Sequence, residues 1–334
     1  MDYNHQPQDP LVLDPAMVQN YAKARILSKN QASVLICGES GTGKNHLAEY
    51  IHQNGSRSGH APVSVHCNAI PSELFASELF GYFPNAFTGA SSKGKTGLLE
   101  MANHSTIIFD EINELSLQNQ TLLLHFLQNK SITPIGSLNP KQIDARIICI
   151  SGRSLRQMVD EGSFRLDLYY RICVAKLYLP PMRKRQEEIP LFIRNFIKKY
   201  AEIYHCGSHE PEIDEKTMNA LKELQWMGNI REIDNFAQKI CLSEDPAGAV
   251  SDYIALWKDF ALPQRETAAL SSPGEPGEAA RRRPPGEPDI LPLKEAVRNF
   301  ERQYIQSAVR QTGSLPAAAQ ALGISLSSLY RKRT

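Results

Sequence analysis

The chain has 334 residues, 42% of them hydrophobic and 22% charged, and its 37 basic residues nearly cancel 36 acidic ones to leave a formal net charge of +1. No run approaches the ~18 apolar residues of a membrane span, and the opening MDYNHQPQDP lacks the basic and apolar regions of a secretory signal. The six cysteines stand apart with no C-x-x-C pair, so the composition argues against membrane, secreted and disulfide-framed classes and predicts a cytoplasmic protein with reduced thiols. The charge is uneven. Residues 290–334 hold seven basic and two acidic side chains, a net of +5, whereas residues 259–289 and 1–258 each come to −2. A basic end on a weakly acidic body points to nucleic-acid contact at that end.

In chain order, residues 1–13 read as an N-terminal extension. SVLICG (33–38) is a short apolar strand that runs into a glycine loop and the helical KNHLAEYIHQ. PVSVHC (62–67), STIIFD (105–110) and ARIICIS (145–151) are three further strands of the kind buried on both faces of a parallel sheet. Strands alternating with helices predict an α/β fold, a parallel sheet flanked by helices, over residues 14–186. From about Ile189 the pattern turns helical and predicts an all-α subdomain over 187–258. Residues 259–289 contain six of the 21 prolines and little apolar periodicity, which predicts a disordered linker. No internal repeat is present.

In the last segment, 290–334, Leu293, Val297, Phe300, Tyr304, Ile305 and Ala308 fall at helical spacing. A short alanine-rich helix, Gly323 at a turn, and a second helix opened by Ser325 follow, which is a helix-turn-helix pattern. Ser327, Ser328, Tyr330 and Arg331 would reach base edges, and Lys332 and Arg333 would sit on phosphates. A basic helical hairpin for protein contact is the alternative.

Two motifs in the α/β part carry chemistry. GESGTGKN (Gly38, Glu39, Ser40, Gly41, Thr42, Gly43, Lys44, Asn45) fits G-x-x-x-x-G-K between a strand and a helix. Its backbone N–H groups would wrap the phosphates of a bound nucleotide, Lys44 would add a point charge, and the helix N-terminus its dipole. IIFDE (107–111) ends a strand in two carboxylates, placing Asp110 to hold Mg²⁺ and Glu111 to activate water. A third stretch, ELFGYFPNAFTGA (78–90), ends in a loop whose composition does not reveal its task.

These motifs, in this order, resemble the AAA+ domain of bacterial enhancer-binding proteins, the ATP-driven activators of sigma-54 RNA polymerase. NAFTGA (Asn85, Ala86, Phe87, Thr88, Gly89, Ala90) resembles that family's sigma-contacting GAFTGA loop. FRLDLYYR (164–171) resembles FREDLYYR, which implies that Arg165 and Arg171 act across a subunit interface. LPPMRKRQEEIP (179–190) resembles LPPLRERxEDIP. WMGNIREIDN (226–235) resembles WPGNVRELEN, which implies that Arg231 senses nucleotide from an α-helical lid. The C-terminal pattern is similar to the family's Fis-type DNA-binding domain. The resemblance implies a cytoplasmic activator, a hexamer with dimeric DNA-binding domains, that binds enhancer DNA and remodels the sigma-54 RNA polymerase holoenzyme. With only about 12 residues ahead of the match, no sensor module is expected there, so control would come from a regulatory protein, a related activator in a mixed ring, or expression level.

The chain departs from the family at Asn45 (usually Glu), His66 (usually the Asn that holds the catalytic Glu, a switch position), Gly152 (usually the Asn that senses the γ-phosphate) and Asn85 (usually Gly). Asn tolerates positive φ, so the loop's turn is expected to survive. The other departures predict slow or altered hydrolysis. A hydrolysis-impaired regulator acting as repressor or partner, and an ATPase unrelated to sigma-54, are the competing readings; Gly152 favours the first and the AFTGA motif argues against the second.

Overall fold

The computed structural model describes residues 12–205 and 211–259. Five strands, β1 (Val34–Cys37), β2 (Val63–His66), β5 (Thr106–Asp110), β8 (Arg146–Ser151) and β9 (Ala175–Tyr178), form one parallel sheet in the order β2-β5-β8-β1-β9. Two antiparallel hairpins stand outside it, β3 (Gly81–Tyr82) with β4 (Lys95–Thr96), and β6 (Ser131–Ile132) with β7 (Lys141–Gln142). The helices of the α/β part are α1 (Pro15–Ser28), α2 (Lys44–Gln53), α3 (Phe75–Phe80), α4 (Leu98–Met101), α5 (Leu117–Asn129), α6 (Leu155–Asp160) and α7 (Leu166–Ile172). Then come α8 (Ile189–Ile203), α9 (Glu215–Lys222), α10 (Asn229–Cys241) and α11 (Pro246–Asp259).

The β-branched runs are strands because the pleat sends alternate side chains to opposite faces; both faces are covered in β1, β5 and β8, whereas β2, expected to be buried as well, lies at the sheet edge and buries only Val65. In β1, Val34 and Ile36 pack with Leu47, Ile51 and Ile148 under α1 and α2, while Leu35 and Cys37 pack with Phe75, Leu79 and Phe109 on the other side. The α8–α11 part has its own core around the fully buried Trp226, whose ring lies 5.7 Å from Phe236 and 5.6 Å from Tyr253. Several helices begin at side-chain caps: Asp14 accepts from the N–H groups of Ala16 and Met17, and Ser116, Ser154 and Asp214 do the same at α5, α6 and α9.

All four expected strands are present. The fifth, β9, was not predicted, because its buried and exposed residues alternate at the sheet edge and AKLY contains no apolar run. The 78–90 stretch is helical at its start, within α3, and its loop proper lies between β3 and β4. The expected contacts of Ser327, Ser328, Tyr330, Arg331, Lys332 and Arg333, and nearly all of the expected linker, lie outside the described residues.

Sheet order decides where the site can form. β8 lies between β5 and β1, so Ser151 at its end separates the acidic end of β5 from the glycine loop after β1. Ligands of open parallel sheets bind at such carboxyl ends.

Candidate active site

The loop after β1 bends on glycines. Gly41 has φ +76° and Gly43 φ +97°, a region that disfavours residues with a Cβ. At Gly41 a Cβ would fall 2.3 Å from the carbonyl oxygen of Gly228, so glycine alone fits between loop and lid. Lys44 opens α2 and is only 5% exposed. Its Nζ donates to the carbonyls of Gly38 and Glu39, 2.9 Å each, so the ammonium is folded back on its own loop. Burial lowers its pKa, opposed by the charges of Glu111 and Asp110.

A cleft of about 380 Å³ opens at this point. Ser40, Gly41, Gly43, Lys44 and Asn45 line its floor, Asp110 and Glu111 one wall, and Phe196, Lys199, Arg231 and Asp234 the lid side. Asp110 Oδ2 accepts from Asn45 Nδ2 at 3.0 Å and lies 3.2 Å from His66 Nδ1, and Oδ1 accepts from the Glu111 N–H at 3.0 Å. The β2–β5 register pairs His66 with Asp110. His66 therefore meets the first carboxylate of the pair, whereas the family's side chain at that position would hold the second, Glu111. Glu111 has φ +52° and ψ 49°, a left-handed conformation for a residue with a Cβ, at a cost of about 1–3 kcal/mol. Its carboxylate lies beside Gly152, where an added Cβ would come within 3.0 Å of Oε2.

The lid is tied directly to the loop. Arg231 Nη1 donates to Ser40 Oγ at 3.2 Å, the Ile230 N–H to the Gly41 carbonyl at 2.9 Å, and Asn229 Nδ2 to the Ser40 carbonyl at 2.9 Å. Glu39 turns away from the cleft into a bidentate pair with Arg183, and that hydrogen bonding holds its pKa below the usual carboxylate value. Thr42 is buried with its hydroxyl on the Glu39 carbonyl, 2.8 Å away. Of the residues read from the loop motif, Gly38, Glu39 and Thr42 thus shape the loop without lining the cleft.

Arg165 and Arg171 line no part of this chain's own cleft. Arg165, half-buried just before α7, reaches Asp167 at 2.8 Å and Thr121 at 3.3 Å, and the exposed Arg171 in α7 donates from Nη2 to the Leu127 carbonyl at 3.0 Å. The NAFTGA segment sits at the end of the β3–β4 hairpin. Asn85 has φ +57°, as its glycine-like role required, and Gly89 has φ +91°. Phe87 is 43% exposed and leans on Tyr82 with ring centroids 5.2 Å apart. Beside it, Ala86 abuts Gly136 of the β6–β7 hairpin, and the Phe83 N–H donates to the Ile135 carbonyl at 2.9 Å.

Sequence reasoning missed Phe196, Lys199 and Asp234 in the cleft and Arg183 and Asn229 at its hinge. The i, i+3 spacing of Phe196 with Lys199 and of Arg231 with Asp234 was the available signal, since it places each pair on one helix face. Among the described residues no group of three or more His, Cys, Asp or Glu is arranged to hold a metal on its own, and no helix is long and apolar enough to cross a membrane.

A parallel sheet with a phosphate-type glycine loop after β1, paired acids at the end of β5, and a helical lid that lends an arginine defines a AAA+ P-loop ATPase module. Comparison with known families extends this. The sigma-54 interaction domain matches residues 11–178, the AAA+ ATPase lid domain 183–257, and the Fis family of bacterial regulatory proteins 296–334. The chain belongs to the sigma-54-dependent transcriptional regulators. Similar proteins include the putative uric acid sigma-54-dependent transcriptional regulator UacR of Escherichia coli, 37% identical over 92% of this chain and 50% of its own length. NtrC of Azospirillum brasilense is 35% identical over 97% of this chain and 69% of its own. Among solved structures, NtrX from Brucella abortus in complex with ATP superposes with a TM-score of 0.65 at 25% identity, covering 98% of this chain and 68% of that one. The chain spans about half the length of UacR.

Proposed function

We propose that the protein is a cytoplasmic sigma-54-dependent activator that binds enhancer DNA and uses ATP hydrolysis in a hexameric ring to remodel the sigma-54 RNA polymerase holoenzyme. The observation that carries this reading is one cleft holding Lys44, Asp110, Glu111 and Arg231 in a chain that also presents Phe87 and Thr88 on an exposed hairpin. ATP would sit with its phosphates on the loop 38–45. The donor set fits Mg²⁺: Asp110 offers a carboxylate beside the loop, and Asn45, whose Nδ2 donates to that carboxylate, offers an amide oxygen. The bound ion would neutralise charge on the phosphates.

Lys44 would exchange the carbonyls of Gly38 and Glu39 for phosphate oxygens. Glu111 would take a proton from the attacking water, and Arg165 and Arg171 of an adjacent copy would face the phosphates from outside the cleft. The NAFTGA loop would carry the resulting motion to sigma-54. The Fis-type end would dimerise on the enhancer, and a partner protein or a related activator would supply control.

The experiment is ATP-dependent open-complex formation with sigma-54 polymerase. Wild type is expected to support it and Thr88→Ala to fail while still hydrolysing ATP; failure of both overturns the activator reading. Glu111→Gln is expected to bind ATP and lose turnover by about 10²-fold or more, the scale of a removed general base. A second reading, a hydrolysis-weakened regulator, is favoured by Gly152, which offers no side chain to the phosphate. A normal steady-state ATPase rate would remove it.

A further inference from the structure

We propose that Asn113 is a positioning residue for Glu111 and acts through the end of β8. The inference rests on Glu111 being the base. Asn113 lies in the 3₁₀ turn Ile112–Glu114 that directly follows Glu111 and is 6% exposed. Its Oδ1 accepts from the Gly152 N–H at 3.1 Å and lies 2.9 Å from Ser151 Oγ, and its Nδ2 donates to Glu114 Oε1 at 2.7 Å. The Gly152 N–H can meet only the oxygen of the amide, so the carboxamide has one orientation. The single proton of the Ser151 hydroxyl is shared between Asn113 and the Arg153 carbonyl, 2.7 Å away.

This arrangement bears directly on the base. Among the described residues no hydrogen bond reaches the Glu111 carboxylate; the charge of Lys44 attracts it, and Gly152 lies beside it. The carboxylate occupies the space that a side chain at Gly152 would enter, and the N–H of Gly152 is held by Asn113. Asn113 therefore fixes both sides of one contact: the turn whose carbonyl at Glu111 accepts the Glu114 N–H at 3.0 Å, and the backbone on which the carboxylate lies. The absent side chain at 152 and the buried amide at 113 are complementary. Space vacated at the end of β8 is taken by the Glu111 carboxylate, and the polar backbone there is satisfied from the neighbouring turn.

The test compares Asn113→Ala, Gly152→Ala and the double variant in the full chain, by steady-state ATPase kinetics and by binding of a fluorescent ATP analogue. Each single change is expected to lower kcat about tenfold with the analogue's Kd unchanged, because a loss confined to the chemical step separates positioning from binding. The double variant is expected to be no slower than the slower single one, since both act by displacing the same carboxylate. Wild-type kcat in Asn113→Ala, or a double variant slowed by the product of the two factors, overturns the proposal. If Asn113→Ala does not fold, Gly152→Ala alone decides. Its backbone φ accepts alanine, and an unchanged kcat there is equally fatal. Glu111→Gln run in parallel keeps the two ideas apart: full turnover in that variant removes Glu111 as base, whereas loss of turnover in Glu111→Gln with full activity in Asn113→Ala removes only the positioning role.

Discussion

Glu111 shows how much of the site is set by single residues. Its left-handed backbone is held because the turn behind it and the strand beside it are both tied down, and that is the usual condition for strain at a working site. Glu39 makes a different point. It is the second residue of the phosphate loop, yet its carboxylate serves the hinge, where Arg183 lowers its pKa below the ordinary 4.5. A carboxyl with a depressed folded pKa adds stability that is present above its unfolded pKa and lost as pH falls through the folded value. Wild type should therefore lose more Tm than Arg183→Met as pH is lowered below about 4.5, the two converging at the acid end. Thermal melts at several pH values read this directly, and parallel curves would show that the pair does not contribute.

At the scale of elements, the segment between β9 and α8 is the structural joint. Arg185 and Glu188 form a buried pair, 1% and 0% exposed. Glu188 Oε1 accepts the N–H groups of Leu13 and Asp14 at the start of α1, and Arg185 Nη2 donates to the Thr42 carbonyl of the phosphate loop at 3.2 Å. One ion pair thus joins the first helix, the loop and the lid. Glu188→Ala would leave the guanidinium buried without its counter-charge, at a cost of about 3–5 kcal/mol. Urea denaturation should show this as a lowered midpoint, and the KM for ATP should rise because the loop loses its anchor. A loss under 1 kcal/mol would mean that water replaces the pair.

For the whole molecule, Arg165 and Arg171 matter because they lie outside the cleft they are proposed to serve. If they act on a neighbour's nucleotide, Glu111→Gln and Arg171→Ala chains, each inactive alone, should regain ATPase activity when mixed. In a random ring an interface needs one subunit of each kind in the right order, so recovery should approach about a quarter of wild type. No recovery on mixing would place Arg171 in a structural role. The same scale explains the net charge of +1. It is a sum over a −2 body, a −2 connecting stretch and a +5 end, so near-neutrality excluded only a uniformly basic protein.

Much of this was legible in the residues alone because the chemistry is local. A glycine loop between strand and helix, two acids closing an apolar strand, and four short strands are each written within ten residues, and the folded chain has them, although only β1, β5 and β8 are buried as expected and β2, at the sheet edge, buries only Val65. The positive φ of Asn85 followed from residue type in the same way. What was not legible depends on which distant segments become neighbours. Glu39 finds Arg183 144 residues away, and Asn113 finds Gly152 39 residues away, only because the sheet runs β2-β5-β8-β1-β9 and the lid folds back over the loop. Local propensity determines which elements form. Strand order and register determine that His66 meets Asp110, that Gly152 makes room for Glu111, and that Asn113 closes the gap between them.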